Sequence, residues 1–112
     1  MSVDPLRGHL DGLLLAVLAE HPGHGYELSR RLTERSGGEL GVPDGSLYPA
    51  LHRLENRGLL AADWKETESG REAKFYRLTR KGRAQLETEA ASWQRLTEAV
   101  GLILKMSEGG AE

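Results

Sequence analysis

A chain of 112 residues, 38% hydrophobic and 29% charged, holds one domain with a single core. Having no cysteine, it excludes disulfide scaffolds and thiolate chemistry, and its net charge of −2 denies it the overall basic footprint of many nucleic-acid binders. The charge is uneven, however: −2 over Met1–Pro43 (4 basic, 6 acidic), +3 over Asp44–Arg83 (9 and 6) and −3 over Ala84–Glu112 (2 and 5). The longest apolar run, Leu13–Ala19, is too short to span a bilayer and lacks the flanks of a signal peptide, so the expected compartment is the cytoplasm.

Asp4 followed by Pro5 reads as a helix start. Leu6, Leu10, Leu13, Leu14, Val17 and Leu18 then recur on one broad apolar face, until His21, Pro22 and Gly23 end the helix. That face exceeds what one small neighbour covers, and part of it is expected to meet another chain. A second helix is predicted over Gly25–Ser36, with Tyr26, Leu28 and Leu32 inward, Arg30, Arg31 and Glu34 outward, and Gly37–Gly38 as its stop. His21 and His24 share an H-x-x-H spacing, but Pro22 and Gly23 intervene and no third ligand is near, so no metal site is read there.

The stretch Gly45–Leu60, GSLYPALHRLENRGLL, is the organising element. At about 100° per residue, Leu47, Ala50, Leu51 and Leu54 share one face, while Pro49, His52, Arg53 and Asn56 look the other way. Ser46 is the expected cap, Pro49 is expected in the first turn, and Gly58 is expected to end the helix in a left-handed conformation. A leucine-backed helix with a small hydrogen-bonding, cationic front suits a major groove.

Leu59–Glu66 and Glu72–Leu78 alternate and carry aromatics, so each reads as a strand, with Thr67–Arg71 as the turn. Two short helices followed by a hairpin make a winged helix-turn-helix, the hairpin being the wing. The wing is expected to lean on the core through Trp64 and through Phe75 or Tyr76. Thr79 then caps a last helix to about Met106, with Leu86, Trp93 and Val100 at seven-residue intervals beside Ala90, Leu96, Ile103 and Leu104. So long a helix needs a partner outside its own core, and the simplest is its copy. The fold class expected is therefore mainly α with a small β-hairpin. Residues 1–79 form the winged helix-turn-helix, 80–106 the dimerisation helix and 107–112 a flexible tail.

The candidate DNA face comprises Ser46, Tyr48, Pro49, His52, Arg53 and Asn56 on the reading helix, with Arg30 and Arg31 on the helix before it. In the wing, Lys65, Ser69, Gly70, Arg71 and Lys74 would track the backbone, with Glu66, Glu68 and Glu72 expected to point away from phosphate. Trp93 would face its symmetry mate, where two indoles either fill the seam or wall a flat pocket, with Leu10, Leu14, Leu96 and Val100 as neighbours.

Three segments, GHGYELSRRL ending at Leu32, GSLYPALHRLENRGLL and REAKFYRLTRKGRAQL over Arg71–Leu86, closely resemble the PadR family of bacterial transcriptional regulators. The resemblance runs from about Leu6 to about Met106. It implies a homodimer on double-stranded operator DNA of inverted-repeat form, and repression relieved by a small molecule. A single helix after the wing resembles the short subfamily, some members of which sandwich planar aromatic drugs. The alternative is a winged-helix module that binds protein instead of DNA, for which the acidic wing and negative net charge argue. No paired carboxylates, phosphate loop or metal quartet suggests an enzyme, and no cofactor is expected.

Overall fold

The computed structural model describes residues 9–109, so the predicted start at Asp4, Pro5 and Leu6 lies outside the described residues. Its elements run α1 (Leu10–Glu20), β1 (Gly23–His24), α2 (Gly25–Arg35), α3 (Asp44–Asn56), β2 (Leu60–Glu66), β3 (Glu72–Leu78) and α4 (Arg80–Gly109). It is mainly α with one small antiparallel sheet of order β1-β3-β2, and its extents are 57 × 27 × 27 Å.

The three short helices enclose one leucine core. Leu14, Leu15, Leu28, Leu47, Leu51, Leu54 and Leu59 are all but inaccessible to water, and Tyr76 closes the sheet side at 4% exposure. Each fully buried leucine contributes about 1.5–3 kcal/mol relative to exposure, which is why helices of 11 to 13 residues, marginal alone, hold here.

α3 begins one residue before Gly45, at Asp44, with Pro43 in the cap position and no side-chain cap bond. Ser46 is thus the third helical residue and not the cap, and Pro49 lies in the second turn. A proline there has no N–H for the Gly45 carbonyl, a cost the buried face offsets. The far end matches expectation. Gly58 has φ +77°, its N–H donates to the Glu55 carbonyl at 2.9 Å, and the Leu59 N–H donates to the Leu54 carbonyl at 2.9 Å. This is a Schellman stop, sealed by the buried Leu54 and Leu59.

The hairpin pairs Leu60 with Leu78, Ala62 with Tyr76 and Trp64 with Lys74. Its third strand, β1, was not expected: Gly23 and His24 pair with Tyr76 and Phe75 and tie the wing to α2. Only Tyr76 of the proposed anchors is buried; Trp64 is 66% exposed, because the hairpin carries it past the end of the core. Tyr26 is 67% exposed instead of inward, lying about 200° around α2 from the buried Leu28. His24 caps α2: its Nδ1 accepts the Glu27 N–H, and the Glu27 carboxylate accepts the His24 N–H at 3.1 Å.

Thr79 starts α4 as expected. Its hydroxyl accepts the Gly82 N–H at 3.0 Å and donates to the Gly58 carbonyl at 2.7 Å, fixing α4 to the turn that ends α3. α4 continues three residues past Met106, to Gly109, so Ser107–Gly109 of the predicted tail belong to the helix, and its remainder, 110–112, lies outside the described residues. None of the described helices is long and apolar enough to cross a membrane.

Candidate nucleic-acid interface

With its leucines inward, α3 turns Pro49, His52 and Asn56 to solvent, all three exposed along one line of the helix. Tyr48 and Glu55 flank that line toward the wing, and Ser46 and Arg53 flank it toward α1. The helix surface and the wing lie side by side, as the sequence expected.

Several cations proposed for this face are already engaged. The Arg53 guanidinium donates to Asp11 Oδ1 of α1 at 2.8 Å. Lys74, expected at the wing, turns inward: its ammonium donates to Glu55 Oε1 at 2.7 Å and stands 5.4 Å from the Tyr76 ring centroid. The hydrogen bond to Glu55 is the main reason its pKa is raised above the ordinary lysine value. Tyr76 is raised as well, chiefly because burial penalises its phenolate. Arg31 lies along the surface, where it donates to the His21 and Pro22 carbonyls at 2.7 and 2.9 Å and buttresses the turn between α1 and α2. Arg30 stays exposed, 3.5 Å from Glu34.

In the wing, Lys65, Ser69, Gly70 and Arg71 are exposed, Ser69 within 2.9 Å of the Thr67 hydroxyl. Gly70 makes the turn at φ +84°. Acids and cations of the wing share a surface: Glu66, Glu68, Arg71 and Glu72 line one shallow depression with Arg30, and Glu66 sits directly opposite Glu72 across the strands.

Two residues that sequence reasoning placed in the core belong to this surface. Tyr26 and Trp64, with Tyr48, Tyr76, His24 and His52, line a hollow of about 570 Å³ between α2, α3 and the wing. Their aromatic character was legible, but their distance from the core was not. Tyr48 reaches this hollow across Gly25, whose missing side chain makes the room.

On α4, Trp93 is half-buried, its ring 4.5 Å from that of His9. With Leu96 and Glu89 it lines a hollow of about 180 Å³. Of the other proposed ligand neighbours, Leu14 is 0% and Leu10 7% exposed within the core, whereas Val100 is 43% exposed further along α4.

A leucine-backed second helix of a helix-turn-helix, with a hairpin beside its open face, defines a winged helix-turn-helix protein. The profile of the transcriptional regulator PadR-like family matches residues 14–88, and the chain belongs to that family. It is 35% identical over 87 residues to a transcriptional regulator of Mycobacterium tuberculosis, covering 78% of either chain. Among solved structures, a PadR-like transcriptional regulator from Bacillus cereus superposes with a TM-score of 0.76 at 33% identity, over 88% of this chain and 94% of that one. A PadR family regulator from Eggerthella lenta gives 0.73 at 36% identity, over 88% and 83%. PadR proteins are transcriptional regulators that bind DNA, and they are not enzymes.

Proposed function

We propose that this protein is a cytoplasmic repressor that binds an inverted-repeat operator as a homodimer and is released by a small planar aromatic ligand. The observation that carries the reading is the exposed line of Pro49, His52 and Asn56 on α3, set beside the wing in a chain of the PadR family. With α3 in a major groove and the wing toward the adjacent minor groove, the sugar-phosphate strand dividing them passes over the hollow of Tyr26, Tyr48 and Trp64. Phenol and indole groups there donate to phosphate and pack on deoxyribose.

Self-association is supported by α4. Its 30 residues span about 45 Å, and α1 covers only its first half. Past Trp93 the same side continues as Leu96, Val100, Ile103 and Leu104, all exposed. A second copy laid along this stripe covers it and brings the two Trp93 hollows together, which is the proposed effector site. On this reading residues 1–79 read DNA and the helix from residue 80 assembles the dimer.

The test is an electrophoretic shift on the upstream region of the protein's own gene, with the double variant Tyr48→Ala, Arg53→Ala expected to lose it. A specific observation favours a second reading, a module that binds protein: Arg53 and Lys74 already hold carboxylate partners. Absence of any shift at low salt from a folded dimer selects that reading and removes the first.

A further inference from the structure

The first turn of α1 is gripped from two sides. On one side, the ring of His9, the residue preceding the helix, packs on Trp93 of α4 at 4.5 Å between centroids. Gly12 faces α4: a Cβ built on it would make ordinary contact with Glu89, 3.4 Å from its Cβ. On the other side Asp11, about 200° around the turn from His9, accepts from Arg53 of α3 at 2.8 Å. Three positions within four residues therefore join the α4 surface carrying Trp93 to a guanidinium on the flank of the reading helix.

The two ends of that link differ in freedom. Arg53 is 55% exposed and its fork keeps donors available to a phosphate or a guanine edge. Asp11, at 27%, is held by a turn packed on α4. The carboxylate therefore sets where the guanidinium stands and offsets its charge, and a shift of the α1 turn against α3 changes both.

We propose that Asp11 is a positioning residue for Arg53, holding it back from DNA to a degree set by how the first turn of α1 packs on α4. This rests on the DNA-binding reading above. It adds a route by which a change around Trp93 reaches the reading helix without a movement of the whole domain. The pair is exposed, and exposed pairs are worth up to about five-fold in an equilibrium constant. Removing the carboxylate therefore raises operator affinity about two- to five-fold.

The experiment is a double-mutant cycle on a duplex that the full-length wild-type protein enriches from a random-sequence pool, read by fluorescence anisotropy. Asp11→Asn, nearly isosteric, is expected to tighten binding in the wild-type background and to have no effect when Arg53 is Ala. Equal tightening in both backgrounds means that Asp11 acts only as a charge near DNA, and overturns the proposal. His9→Ala, which removes the ring on Trp93 and leaves both residues of the ion pair in the chain, is expected to change affinity about two-fold in the wild type and not in Asp11→Asn. The same change in both backgrounds cuts the link to α4 and also overturns it. Melting midpoints confirm that each variant is folded. A folded wild-type protein that enriches no duplex sinks the DNA-binding reading itself, an outcome distinct from either failure of the cycle.

Discussion

The ring of Tyr48 lies directly over Gly25: a Cβ built on that glycine would stand 2.5 Å from Cε1 of the tyrosine and 2.7 Å from its hydroxyl. Gly25 opens α2 and Tyr48 rides the wing side of α3, so this contact sets the spacing of the two helices at the DNA-facing end. Gly25→Ala should therefore destabilise the protein by about 1–3 kcal/mol through overpacking. Gly25→Ala with Tyr48→Ala should recover much of that loss, because the clash and its cause leave together. Urea unfolding of the two single variants and the double one checks this, and strictly additive losses would show that the two residues do not meet.

The turn joining α3 to the wing depends on two glycines for different reasons. Gly58 needs its left-handed backbone, and alanine there costs about 1–2 kcal/mol. Gly82, in the first turn of α4, has ordinary dihedrals, but a Cβ on it would fall on the Leu59 carbonyl oxygen and reach Leu78 Cδ1 at 2.8 Å. Backbone cannot yield as a side chain does, so Gly82→Ala should cost more than Gly58→Ala. Comparing their urea midpoints tests the order.

Much of this was readable in the chain, and the reasons the rest was not are physical. The spacing of Leu47, Ala50, Leu51 and Leu54 fixed the buried side of α3, and Gly58 after it needed only the rule that left-handed caps favour glycine. Trp64 shares the wing face of Leu60 and Ala62, yet alternation says nothing of where along a strand the core ends. β1 is two residues long, too short for any periodicity. The Arg53–Asp11 pair joins residues 42 apart in sequence, so local reading could find the arginine and not its partner.

Alkaline pH should loosen the wing. The folded-state pKa of Lys74 is raised by Glu55 and that of Tyr76 by burial, so above about pH 10 the native state holds protons that the unfolded chain has released. Both contributions are fully present below the unfolded values and fade as pH rises through the folded ones. The melting temperature should not vary from these groups between pH 7 and 9 and should fall above 10. Tyr76→Phe and Lys74→Met should each make that fall shallower. An unchanged slope in both variants would remove these groups as its cause.

Trp64 makes the wing side of the interface observable. Two-thirds exposed and beside Tyr48, it should be shielded when duplex fills the hollow. In a Trp93→Phe background, where Trp64 is the remaining indole, iodide quenching should drop on adding operator duplex. Trp64→Ala should weaken binding several-fold without changing which sequence is preferred, since contacts to sugar and phosphate carry no base information. A change of preferred sequence would mean that the indole reads bases.

The stripe on α4 gives the prediction on which the dimer stands. Leu96, Val100 and Ile103 are each at least 43% exposed, and none belongs to the monomer's core, so a charge placed there costs the isolated fold little. In a paired interface the same charge is desolvated without a partner, at a cost of several kcal/mol at each of two symmetry-related positions. Leu96→Glu with Ile103→Glu should thus convert the protein to a folded monomer in sedimentation at micromolar concentration. That monomer should keep its wild-type far-UV spectrum and lose the duplex shift, because one reading helix makes half of the phosphate contacts and its salt dependence falls accordingly. A wild-type chain that sediments as a monomer throughout would remove the two-fold, and with it the shared effector site at Trp93.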